Sequence, residues 1–332
     1  LDLKDLDLKF DGILTKSTIY KYSYDQTQVE GAFQNKILSM KGMVDDKHLQ
    51  LTYNSAIDLA TKDVNYTLDA AVSHASPNKL GWLDKDSVVI HQANINTNLI
   101  GNNLNNLVGQ LQADSVRLTT SKGLFFIEDI NFTAEGDDQN RILILQSDVL
   151  DANVAGVIDL NTIVPYFKSL AMRYAPAINF ETQHYNPQNF KLKVDVKSFQ
   201  PISALLDPSL SLDDGAHLNA QFSSEDFNAK FTAFSPAVVY KGVKLTNLSV
   251  VENADQQAFS LDILADRINF ADSTYVNNVS IKNTLANDSL VFNLELSERS
   301  ATNYLNLNGD IHFAHNSPAY IHFRPSFIVI NK

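Results

Sequence analysis

Apolar and polar residues alternate with period two along most of this 332-residue chain, the pattern of strands that bury one face and wet the other. The clearest runs are Leu49, Leu51 and Tyr53 followed by Ile57 and Leu59; Val64, Tyr66, Leu68, Ala70 and Val72; and Phe259, Leu261, Ile263 and Ala265. Leu290, Phe292, Leu294 and Leu296 form another, as do Leu305, Leu307, Gly309, Ile311 and Phe313. Between such runs lie Asp45-Asp46, Asp84-Lys85-Asp86, Gly136-Asp137-Asp138, Asp213-Asp214-Gly215 and Asn287-Asp288. Short Asn and Asp side chains imitate a backbone turn and tolerate left-handed dihedrals, so these clusters are expected to be solvated turns. The pattern predicts about 20 strands and an all-β, mostly antiparallel chain.

A repeat lies within the alternation. Asn247-Leu248-Ser249-Val250 through Phe259-Ser260-Leu261-Asp262-Ile263 matches Asn278-Val279-Ser280-Ile281 through Leu290-Val291-Phe292-Asn293-Leu294 at constant offset. A third copy runs from Ile130-Asn131-Phe132 through the turn Asp137-Asp138-Gln139 to Asp148, in phase with Leu248 to Asp266. Each copy is a hairpin that cannot bury its apolar face alone and must stack on its neighbours, which is the logic of an extended array. One stretch breaks the pattern. From Asn161 to Ala175, the residues Ile163, Val164, Phe167, Leu170, Ala171 and Tyr174 recur at three- and four-residue spacing, with Asn161 or Thr162 to cap, Pro165 in the first turn and Pro176 as the stop. That spacing predicts one amphipathic helix. Between Pro201 and Pro208 the expectation is at most a helical turn. The organisation is therefore read as an array over residues 1–159, a helix with a connecting strand over 160–208, and the same array continuing over 209–332.

Composition narrows the function. Hydrophobic residues make up 44% and charged residues 19%, enough apolar material for a large buried surface. The net charge is −12, and no Lys/Arg run could track a phosphate backbone, so nucleic acid is not expected as a partner. The chain has no Cys, which removes disulfides, thiolate metal sites and cysteine nucleophiles together. It starts at Leu1 without a signal-like segment and ends after the strand-like Phe327-Ile328-Val329-Ile330, so it is expected to be a piece of a longer protein, with any anchor outside it.

Catalytic chemistry is not legible. Eight His residues are present, but His312 and His315 are three apart in a predicted strand and His322 follows a Pro-containing turn, so no metal site is expected. No phosphate loop, nucleophile elbow or zincin motif occurs. The expectation is a protein that is not an enzyme and needs no cofactor.

The units Val29-Glu30-Gly31-Ala32-Phe33, Leu38-Ser39-Met40-Lys41-Gly42, Asp45-Asp46, Leu49-Gln50-Leu51-Thr52-Tyr53 and Ile57-Asp58-Leu59 resemble the TamB/AsmA-like family, especially its Bacteroidota branch. There a strand ending in Gly, an acidic turn and a Leu-x-Leu-x-aromatic strand recur. Tyr240 to Leu248 followed by Phe259 to Ala265 is similar. The resemblance is one of cadence over most of the chain and is weakest from Asn161 to Leu206. It implies an inner-membrane-anchored periplasmic protein whose long sheet curls into an apolar trough, a β-taco, that carries phospholipid towards the outer membrane. It also implies an Omp85-family barrel partner, met through a domain not contained in this sequence.

On that reading the trough is lined by Leu49, Leu51, Tyr53, Ile57, Leu59, Tyr66, Leu68, Phe259, Leu261, Ile263, Leu290, Phe292, Leu294, Leu296, Leu305, Leu307, Ile311 and Phe313. Such a lining solvates acyl chains at about 0.8 kcal/mol per methylene and needs no catalytic residue. Two alternatives share the alternation. A secreted multi-domain β-sandwich binding glycans or proteins should reset every ~100 residues with linkers between, and no such linkers are visible. An outer-membrane barrel needs aromatic girdles, of which one Trp and scattered Tyr give little sign.

Overall fold

The computed structural model describes residues 6–19, 22–83, 88–181, 183–271, 274–297, 303–315 and 317–330. Among them, 21 strands form one antiparallel sheet that is not closed into a barrel. Two helices accompany it, α1 (Ile163–Tyr174) and α2 (Gln200–Leu206). The second is longer than the single turn expected, because Pro201 sits in its first turn, where a missing N–H costs nothing. The expected Asp84-Lys85-Asp86 turn lies outside the described residues.

The chain divides into two compact units, the first comprising Leu1–Asp137, Ile142–Asp151 and Gln200–Pro208. Its strands are β1 (Leu8–Ile19), β2 (Tyr22–Gln34), β3 (Ile37–Asp46), β4 (Leu49–Asp58), β5 (Asn65–Ala75), β6 (Val89–Ile100), β7 (Val108–Thr120), β8 (Gly123–Glu135) and β9 (Arg141–Ser147). Each pairs antiparallel with the next. The meander follows from local chemistry. Asn35 and Lys36, with φ of 51° and 65°, make the two-residue turn between β2 and β3 whose twist suits a hairpin.

Asp45 and Asp46 correct the expectation of a solvated turn. They end β3, the turn being Lys47-His48, and Asp46 is buried. One of its oxygens accepts hydrogen bonds from the Tyr22 hydroxyl at 2.7 Å and the His48 amide at 2.8 Å, the other from the Asp25 amide at 3.1 Å. Burial pushes the Asp46 carboxyl up, but these three donors outweigh it and hold it below the usual carboxylate range. Its contribution is therefore present at neutral pH and lost as pH falls. Asp46→Ala leaves three donors without an acceptor and is expected to cost about 3 kcal/mol in urea unfolding at neutral pH. A loss below ~1 kcal/mol would mean that water replaces the carboxylate.

The second unit comprises Asp138–Arg141, Ala152–Phe199 and Ser209–Lys332. It holds α1, most of β10 (Leu150–Val157), β11 (Asn189–Val196), β12 (Leu210–Leu212), β13 (His217–Ser223), β14 (Asn228–Tyr240), β15 (Val243–Ala254) and β16 (Phe259–Ala271). Then follow β17 (Thr274–Ala286), β18 (Ser289–Ser297), β19 (Tyr304–Ala314), β20 (Ser317–Phe323) and β21 (Phe327–Val329). From β13 to β19 each strand pairs with the next; β11 pairs with β13, β12 with the far end of β14, and β20 and β21 share one edge of β19. Gly156 lets β10 approach β11. Its φ is +132°, and a Cβ there would lie 2.2 Å from the Asn189 carbonyl oxygen.

The sequence repeat has a structural cause. Its Asn247 and Asn278 lie inside β15 and β17 with φ of 50° and 47°, a left-handed kink that Asn tolerates. In the ladder Asn247 falls opposite Pro236, which has no N–H to donate, and its side chain turns instead to Asp266 at 2.7 Å. The third copy keeps the hairpin without the kink: Asp129, in the position of Asn247, has no left-handed dihedral.

The Thr162 side chain does not cap α1. Its hydroxyl oxygen instead accepts from the Asn186 amide at 3.1 Å and the Gln188 side-chain amide at 3.3 Å. The helix rests on apolar contact, with Leu170 and Tyr174 against Ala229, Ala254, Phe222, Phe259 and Leu285.

Candidate functional site

Residues directly opposite in an antiparallel ladder share a face, so the pairings write out the apolar side of each unit row by row. In the first unit one row runs Phe33, Leu38, Ile57, Tyr66, Leu99. The next runs Met40, Ser55, Leu68, Thr97, Leu111, Phe132, Leu145. Beyond these come Gly42, Tyr53, Ala70, Ile95, Ala113, Ile130 and then Val44, Leu51, Val72, Ala93. The rows differ in cover. Where they end at Leu49 and Leu118 the face is sealed, by Tyr24, Ala75 and Leu80 on one side and by Ile202 of α2 on the other. Apart from the buried Phe33, the rows through Tyr53, Ile57, Tyr66 and Leu68 are only half-buried.

The second unit repeats the arrangement. One row runs Phe190, Phe222, Ala229, Ala254, Phe259, Leu285, Leu290, Ile311. Another runs Val194, Leu218, Ala233, Val250, Ile263, Ile281, Leu294, Leu307. In β18 Phe292 lies over Gly309 of β19, where a Cβ would come within 2.5 Å of the ring. Its ring centroid is 6.4 Å from that of Phe323, edge to face. At the β19–β21 end, Leu296, Leu305, Tyr304, Tyr275, Ile328 and Val329 surround an open hollow of 250 Å³.

Of the expected lining residues, Leu49 is buried at 5% exposure and belongs to a sealed core. Leu59 is exposed and lies past the end of β4, its amide bonded to the Lys36 carbonyl. The other sixteen are half-buried on the apolar sides of their units. Opposite faces carry polar ladders: Asn293 donates to Asn308 at 2.8 Å and to Asn306 at 3.3 Å, and Asn94 donates to Asp114 at 2.8 Å.

Sequence reasoning missed Glu252. It stands between Phe231 and Leu261 in the middle of the second unit's apolar side, 2% exposed, and neither carboxylate oxygen has a hydrogen-bond partner. Burial pushes its carboxyl up to about 7, with only partial relief from the nearby Phe231 amide. The Tyr166 hydroxyl of α1 is likewise buried without a partner. Burial first, then the charges of Tyr185, Tyr174 and Glu252, raise it to about 12. The signal was in the sequence: in Leu248, Val250, Glu252, Ala254 a charged residue occupies an apolar phase.

His312 and His322 both converge on Asp310, at 2.9 and 3.3 Å, together with Arg324 at 2.8 Å. Burial raises the Asp310 carboxyl, but the hydrogen bonds from Arg324 and His322 together with the Arg324 charge overcome it, so it lies below its ordinary value. Arg324 occupies the place of a cation. Among the described residues no three His, Asp or Glu side chains are grouped to hold a metal ion.

No protein-family model, curated protein or solved structure matches the chain. No helix among the described residues is long and apolar enough to cross a membrane.

Proposed function

We propose that this chain is a periplasmic segment of a TamB/AsmA-like protein, and that its apolar sheet face forms a groove carrying phospholipid acyl chains towards the outer membrane. The observation that supports this reading is the half-burial of sixteen in-register apolar side chains on faces whose opposite sides are polar. A closed core would cover such side chains fully, and a monomeric surface would not expose them in contiguous rows. Alkyl chains satisfy them without hydrogen bonds, while headgroups stay in water. The role requires no reacting group, so the protein is proposed not to be an enzyme.

The test is extraction. Protein purified from cells without detergent is expected to carry phospholipid detectable by mass spectrometry, and to take up a fluorescent phospholipid from vesicles of phosphatidylethanolamine and phosphatidylglycerol. Lipid-free protein that takes up none from these vesicles would overturn the proposal.

A further inference from the structure

We propose that α1 is a lid over part of the second unit's apolar face and that Glu252 is the group that releases it. The first part stands on packing. The helix covers the row Phe222, Ala229, Ala254, Phe259, Leu285 through Leu170 and Tyr174, and Phe167 sets its ring 5.0 Å from that of Phe222. Its ends are tied by polar contacts to neighbouring loops and turns. Arg173 donates to the Gln256 carbonyl at 2.9 Å and Tyr174 to the Asp255 carbonyl; at the other end the Thr162 hydroxyl accepts from the Asn186 amide at 3.1 Å and the Gln188 side chain at 3.3 Å. Between these ties the contact is apolar except at Glu252 and Tyr166.

The second part stands on those two groups. A buried carboxyl without a partner is tolerated as the neutral acid and strongly disfavoured as the anion. Beyond the partial relief of the Phe231 amide, no charged side chain on the flanking strands faces Glu252 to offset its charge. Phe231 of β14 and Leu261 of β16 are apolar, and Lys230 and Asp262 on those strands fall at the opposite phase and are exposed. From α1 the titratable groups facing it are Tyr166 and Tyr174, with Tyr185 behind Tyr166 at 5.5 Å between ring centroids. The helix's Arg173 is committed to Gln256 and lies 3.9 Å over the Phe227 ring. Ionisation of Glu252 therefore favours a state in which α1 has moved away and water reaches both polar groups. A carboxyl held near 7 by burial places that change at about neutral pH. Lifting the helix uncovers the row beneath it; that this newly open surface receives acyl chains rests on the function proposed above.

The chain has no Cys, so Leu170→Cys gives a single thiol beneath the lid and Val164→Cys, on the 60% exposed outer side of α1, a reference. The ratio of their alkylation rates is measured against pH in the full chain, without lipid. It is expected to rise about twentyfold from about pH 5.5 to about pH 7.5, and to stay flat when Glu252→Gln is added. A flat ratio in the presence of Glu252, or an equal rise in the protein carrying Glu252→Gln, overturns the lid. If Leu170→Cys fails to fold by circular dichroism, amide exchange across residues 163–174, corrected for intrinsic rates and compared between the parent chain and Glu252→Gln, gives the same decision. Neither readout contains lipid, so a failure of lipid uptake and a failure of the lid are separately visible.

Discussion

Phe292→Glu is expected to leave the sheet folded and to lower bound phospholipid on the order of tenfold, the effect of about 1.4 kcal/mol against each acyl chain that passes. Phe292 is half-buried, so the new carboxylate reaches water in the empty protein. The structural cost is the lost cover over Gly309 and the edge contact with Phe323, about 1–2 kcal/mol. Acyl chains would meet a charge in their path and must either desolvate it or go round it. The control belongs on the other face of β18. Asn293 is unsuitable because its side chain ties Asn306 to Asn308, whereas Val291 is exposed at the same phase. Val291→Glu faces Asp310 across the ladder and should lose some stability to like-charge repulsion, but should leave lipid content unchanged. Normal folding of Phe292→Glu with an undiminished lipid load would show that this face does not conduct lipid. Unfolding would show that it is a closed core.

The strands were legible because their signal is local. In β18 the residues Leu290, Phe292, Leu294 and Leu296 keep one phase, and the ladder places them beside Ile311, Gly309, Leu307 and Leu305 without a slip. A shift of one residue would have put all four on the wet side. The turns were legible where Asn or Asp adopts a left-handed dihedral, as Asn287 and Asp288 do with φ of 49° and 61°. They were misread at Asp46, because its burial depends on Tyr22 and Asp25, 24 and 21 residues away across the β2–β3 hairpin, as well as on His48. The extent of the lining was only partly visible for the same reason. Period two gives the face of Leu49 and of Leu51 equally, but only the packing of Tyr24 and Leu80 shows that Leu49 is sealed. Helix α1 was visible as a 3.6-residue pattern within a period-two chain, yet nothing in that pattern says what it covers. Glu252 was the readable clue, a carboxylate in phase with Val250 and Ala254, and it marks the strands that α1 overlies.

Glu252→Leu is expected to make the protein more stable, by about 3 kcal/mol at pH 8 relative to the parent. The sign follows from protonation. A carboxyl raised from 4.5 to about 7 in the folded protein is neutral in both folded and unfolded chains at low pH, where its burial carries no charge penalty. As pH rises past 4.5 the unfolded chain loses its proton first, and stability falls until the folded group also ionises near 7. Leu at this position cannot titrate, and it fills an apolar site between Phe231 and Leu261. The other carboxylates, Asp46 among them, titrate alike in both proteins, so the difference between the two urea-unfolding series against pH isolates Glu252. The difference should be small below pH 4.5, grow through the interval up to about pH 7 and then level. Levelling well before that interval ends is the signature of α1 lifting ahead of global unfolding, because once the helix has moved the carboxylate is hydrated and further ionisation costs nothing. Parallel series, with no growth in the difference, would mean that Glu252 is hydrated or paired in solution, and that the polar group beneath α1 neither strains the fold nor controls the helix.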